Sequence, residues 1–106
     1  NYPDIFEIQK VDKDFTHSYQ MYSIIMKAKY RDELVYFLKK NNIEASVHFD
    51  PPLHKQGYLK KYALYLKNTE KLSKTIVTLP IYPGLHISKQ KYMFKKIDQW
   101  YKNKKK

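Results

Sequence analysis

Two of the chain's four histidines, two adjacent prolines, one of its two glycines and a lysine fall within residues 47–58, Val47-His48-Phe49-Asp50-Pro51-Pro52-Leu53-His54-Lys55-Gln56-Gly57-Tyr58. A strand running into a proline-stiffened loop holds polar side chains in place at little ordering cost, which suits a binding edge. As a metal site, His48 and Asp50 share a face only if the strand continues, with His54 completing a triad. The proline pair interrupts that continuation, so no metal is expected. A nucleophilic triad is set aside, because the loop has neither a cysteine nor a glycine-flanked serine. On residue types alone the loop reads most simply as a structural corner, with His48 bonded to backbone and His54 an ordinary loop residue.

The remaining chemistry-bearing residues are scattered. The sequence contains no glycine-rich phosphate loop, no paired carboxylates and no lysine in an apolar setting that would depress its pKa. Glu44 lies on an expected strand without a partner acid, Asp98 lies in a helix among lysines, and His17 and His86 stand singly. Catalysis by this chain alone is not expected.

The elements that must position the loop are bounded by length and composition. With 106 residues, the chain supports one small domain over residues 1–106. Its 42% hydrophobic and 16% aromatic content is too apolar for a disordered segment. The absence of cysteine excludes a disulfide framework, thiolate metal sites and a cysteine nucleophile. Apolar runs are too short for a membrane span. No secretory signal is visible, so the expected compartment is the cytoplasm. The lack of an initiating Met suggests a piece cut from a longer protein.

The formal charge is +11, but among 21 cationic residues only Arg31 is an arginine. Arginine's planar fork is the usual reader of nucleic acid, whereas lysine serves mainly phosphate attraction. Lys39-Lys40, Lys60-Lys61 and Lys95-Lys96 read as solvated helix faces. A basic α+β module binding nucleic acid or another partner is therefore kept only as the alternative reading.

Residues 1–16 read as a lead-in loop. Residues 17–27, rich in aromatic and β-branched types, read as a strand. The spacing of Leu34, Phe37 and Leu38 predicts an amphipathic helix over 31–41, with Asp32 and Glu33 in its first turn, Lys39 and Lys40 in its last, and Asn41-Asn42 as its stop. A second strand is expected over 43–49, closed by Pro51-Pro52, then short helical turns over 58–66 and 69–73. Residues 75–79 predict a third strand, and Pro83-Gly84 a turn with glycine at positive φ. Ser88 is the expected cap of a last helix running to about residue 102, with Met93, Ile97, Trp100 and Tyr101 as its buried stripe. Residues 102–106 are expected to be a flexible lysine tail. The order gives an α+β fold, a small mixed or antiparallel sheet of about three strands with helices packed on one face.

Five elements in order resemble the C-terminal part of the DegT/DnrJ/StrS sugar aminotransferases. They are Tyr22 within the first strand; Arg31-Asp32-x-Leu34 at the helix start; Ile43 opening the second strand; His48-Phe49 followed by Pro52-Leu53-His54; and Leu79-Pro80-x-x-Pro83-Gly84-Leu85. The chain departs from the pattern with Phe49 in place of a common tyrosine, Asn42 in place of glycine, and Lys89 and Lys91 in place of acids.

The resemblance implies the small C-terminal domain of an aspartate-aminotransferase-fold enzyme that uses pyridoxal phosphate. It places the lysine anchoring the cofactor, and every other catalytic residue, in a large domain upstream of residue 1. By position it makes His48, Phe49, His54 and Lys55 a wall beside substrate and cofactor, with His54 the one to reach inward and Lys55 able to attract a diphosphate. The implied partners are a nucleotide-linked keto sugar and the large domain, in a homodimeric parent enzyme that is not membrane-bound.

Overall fold

A computed structural model describes residues 2–62 and 64–106. Three strands, β1 (Phe6–Ile8), β2 (Tyr22–Met26) and β3 (Ile76–Leu79), form one antiparallel sheet in the order β1-β2-β3. The helices are α1 (Ala28–Lys40), α2 (Lys67–Thr75) and α3 (Ile87–Lys105). Two 3₁₀ segments, Leu53–Lys55 and Gly57–Tyr62, lie between α1 and α2. The α+β expectation holds, and the sheet is antiparallel. No helix among the described residues is long and apolar enough to cross a membrane.

Register explains the core. Ile24 stands opposite Val77 and Ile8, and Tyr22 opposite Leu79, so alternate residues of β2 and β3 share one face. Ile24, Met26, Val77 and Leu79 are buried there against Leu34 and Leu38 of α1 and the Met93, Ile97, Trp100, Tyr101 stripe of α3. Leu34, Leu38 and Val77 are wholly inaccessible. On the other face Ser23 Oγ and Thr78 Oγ1 lie 3.1 Å apart across the β2–β3 pair, and Leu72 of α2 lines a groove with Ile25 and Ile76.

Several boundaries differ from expectation. The lead-in over residues 1–16 contains β1, whose Phe6 reaches Trp100 at a ring separation of 6.1 Å. The first expected strand begins only at Tyr22, because Tyr19 turns at φ 49 and its N–H donates to His17 Nδ1 at 2.8 Å. Helix α1 starts at Ala28, ahead of the expected start, so Asp32 and Glu33 lie beyond its first turn and do not complement the dipole there; Lys39 and Lys40 do occupy its last turn. Asn42 ends it at φ 60.

The expected strand over 43–49 shrinks to a bridge at Ser46, which exchanges two 2.9 Å backbone bonds with Thr78. A tight Ala45 N–H to Ile43 carbonyl bond on one side and Phe49 at φ 60 on the other break the extended run. The expected turn over 69–73 is the longer helix α2, which passes directly into β3. Gly84 adopts φ 85 in the expected turn. His86, not Ser88, caps α3: its Nδ1 accepts from the Ser88 N–H at 3.2 Å. The helix continues through the expected tail to Lys105, where Lys105 lies 3.5 Å from Asp4. Asn1 of the expected lead-in and Ala63 of the expected turn over 58–66 lie outside the described residues.

Candidate functional site

The loop after the Ser46 bridge leaves the sheet edge with Val47 packed on the core and His48 half-buried. Phe49 follows in the left-handed region at φ 60, which a non-glycine residue rarely adopts. Its side chain is 71% exposed, and its ring lies 6.1 Å from that of His48 in a tilted arrangement. The Asp50–Pro51 peptide is cis. Pro52 turns into the buried side of the loop, and the Leu53–Lys55 turn closes with a 2.8 Å bond from the Lys55 N–H to the Pro52 carbonyl.

Two anchors hold this loop to the helices. The first is Arg31, the sole arginine, buried near the start of α1. Its Nη2 donates to Asp50 Oδ2 at 2.7 Å, its Nε to Asp32 Oδ1 at 2.7 Å, and its Nη1 to the Ser73 carbonyl of α2. A guanidinium can satisfy three acceptors at once because its donors are fixed in a plane. The second anchor is Glu70 of α2. One carboxylate oxygen lies 3.1 Å from His54 Nε2 and the other 3.2 Å from Lys55 Nζ. The hydrogen bond from His54, then the ammonium of Lys55, hold the Glu70 carboxyl below its ordinary value.

Of the four residues singled out in the sequence, the structure thus sets His48 against Phe49 and joins His54 and Lys55 on one carboxylate. No hydrogen bond links the two pairs among the described residues. His54 has Nε2 turned inward to Glu70, leaving Nδ1 and the ring edge as what it can offer outward. Among the described residues no group of three metal-ligating side chains is assembled. Glu70 and the anchoring role of Arg31 escaped the sequence reading. His54 and Glu70 are 16 positions apart, a spacing that carries no local signal. Arg31 did carry one, as the lone arginine among lysines.

Residues 2–98 match the DegT/DnrJ/EryC1/StrS aminotransferase family. The chain belongs to that family. The pleiotropic regulatory protein of Geobacillus stearothermophilus is 33% identical over 90 residues, covering 82% of this chain and 24% of that protein. A DegT DnrJ EryC1 StrS aminotransferase from Brucella abortus superposes with a TM-score of 0.81 at 24% identity, covering 93% of this chain and 27% of the other. NtdA from Bacillus subtilis, solved with bound cofactor PMP, gives a TM-score of 0.76 at 21% identity, over 92% of this chain and 23% of its own. The two structures share the fold. The chain spans about a quarter of the length of these relatives.

Proposed function

We propose that these residues form the C-terminal small domain of a pyridoxal-phosphate-dependent aminotransferase acting on a nucleotide-linked keto sugar, in the assembly of amino sugars for surface polysaccharides. The family match over residues 2–98, set against a chain only about a quarter as long as its relatives, carries this reading.

The cofactor does not fit these residues alone. No lysine is buried among the described residues, and the acids at the loop bearing His48, Phe49, His54 and Lys55 are engaged within the chain, Asp50 by Arg31 and Glu70 by His54 and Lys55. When bound in the whole enzyme, pyridoxal phosphate supplies an electron sink for moving an amino group. In this reading the lysine that anchors it lies on the large domain, and this domain closes one wall of the cleft.

Exposed apolar side chains support a missing packing partner. Leu53, Tyr58, Tyr62, Leu64 and Tyr65 are 67%, 73%, 64%, 69% and 77% exposed along one short stretch. A run of large apolar groups open to water marks a surface meant to be covered. In this reading the large domain covers it, in a homodimeric enzyme.

The test is amino transfer by the full-length protein loaded with cofactor. Glutamate and a nucleotide-linked keto sugar should yield the amino sugar, while residues 1–106 alone should yield none. A full-length protein that transfers no amino group to any such sugar contradicts the reading.

A further inference from the structure

We infer that Arg31 and Glu70 are positioning residues that fix the binding loop of residues 48–55 from two helices, and through it set the affinity of the site for its sugar substrate. The inference deepens the proposed function and rests on it for the identity of the substrate.

The geometry sorts the loop into parts that are held and parts that are free. Asp50 is fixed by the guanidinium of Arg31, and His54 and Lys55 are fixed by the Glu70 carboxylate. Phe49 and Leu53, one beside each anchor, are 71% and 67% exposed. The anchors therefore bracket the segment and leave these apolar side chains facing out. Arg31 also donates to the Ser73 carbonyl, and Ser73 Oγ donates to the Glu70 carbonyl at 2.8 Å. Two residues of one turn of α2, Ser73 and Glu70, thus serve the two anchors, so the loop, α1 and α2 are tied at a single junction.

Burial makes the tie directional. Arg31 is 5% exposed, and a guanidinium taken out of water must keep its acceptors, because an uncompensated buried charge is costly. Asp50 is the acceptor that lies on the loop. A loop that swings away deprives Arg31 of it, and the resulting restoring force is absent from an ordinary surface loop. Lysine in place of Arg31 keeps the charge but lacks the fork, so it cannot serve Asp50 and Ser73 together.

The experiment uses the full-length protein with its cofactor, in the variants Arg31→Lys, Glu70→Gln and Asp50→Asn. Hydrogen exchange is read at the Lys55 and Gln56 amides, whose acceptors are the Pro52 and Leu53 carbonyls. It is expected to accelerate in Arg31→Lys and Glu70→Gln, while the amides of α3 stay unchanged. In steady-state kinetics KM for the keto sugar is expected to rise roughly tenfold, the scale of one lost charge-assisted hydrogen bond, with kcat and the glutamate half-reaction preserved. Combining Arg31→Lys with Asp50→Asn should add little to the larger single effect, since both weaken the same tie. Unchanged exchange at Lys55 and Gln56 overturns the inference, as does a KM change shared equally by glutamate and sugar. A wild-type protein without sugar aminotransfer defeats the functional reading, and the exchange arm then still decides whether the two residues hold the loop.

Discussion

Tyr101 and Asp4, 97 positions apart, are joined by a 2.8 Å hydrogen bond from the tyrosine hydroxyl to the carboxylate. The ring of Tyr2 stacks on that of Tyr101 with centroids 3.9 Å apart, and Lys105 approaches the same carboxylate. The contact ties the start of the chain to the end of α3, so the segment leading into β1 is held by the last turns of the last helix.

This contact predicts a pH signature. The Tyr101 hydroxyl, then the Lys105 ammonium, hold Asp4 below its ordinary 3.8, and Glu70 is held below 4.5 by His54. Lys105 is raised above 10.5, first by hydrogen bonding to Tyr101 and also by Asp4. A carboxyl lowered on folding contributes stability that is complete above its unfolded value and is lost as pH falls through the folded one. A raised ammonium contributes stability that is complete below 10.5 and is lost as pH rises through the higher folded value. Thermal unfolding followed across pH should therefore weaken at both extremes. Tyr101→Phe should flatten the Asp4 and Lys105 contributions and leave that of Glu70. A Tyr101→Phe profile displaced uniformly, with both limbs unaltered, contradicts the assignment.

The core makes a second, simpler prediction. Leu34 is wholly buried between the sheet and α3. Leu34→Ala should destabilise the fold by about 2–5 kcal/mol, the range for a buried leucine leaving a partly collapsed cavity. Denaturant titration reads this directly, and a loss under about 1 kcal/mol would mean the site can refill, contrary to the packing described.

Asp50→Ala tests the first anchor energetically. It strips a buried guanidinium of one carboxylate while Asp32 and the Ser73 carbonyl remain. The expected loss is about 1–3 kcal/mol, and Asp50→Asn, which keeps an acceptor, should lose less. Equal losses in the two variants would show that the carboxylate is not what Arg31 requires.

These groups also show where sequence was informative. The stripe of α3 was legible in full, because Met93, Ile97, Trp100 and Tyr101 recur at helical spacing and all four are buried. Asn42 and Gly84 were legible from their tolerance of positive φ. The start of α1 was not, since Lys27 caps it without a side-chain hydrogen bond and leaves no polar signature. Strand β1 has three residues and exists only through its pairing with β2, a tertiary cause invisible in local pattern. The loop was conspicuous by composition, and the resemblance singled out His48, Phe49, His54 and Lys55 within it. The partners that hold it were not, because Arg31 and Glu70 come from helices distant in sequence.

The exposed apolar stretch predicts behaviour of the chain on its own. Residues 1–106 in isolation should bind an apolar dye and self-associate, and replacing Tyr58 and Tyr65 with serine should reduce both while leaving the thermal midpoint nearly unchanged. Sedimentation with dye titration reads the two effects together. A chain that stays monomeric and dark to the dye contradicts a covered surface there.

The most direct measurement of the central claim is where the cofactor becomes attached. The full-length protein is loaded with pyridoxal phosphate, reduced with borohydride to make the linkage permanent, digested and mapped by mass spectrometry. The account predicts one stoichiometric pyridoxyl-lysine, on a peptide outside residues 1–106. A stoichiometric label on a lysine within these residues, or no specific label anywhere, contradicts it.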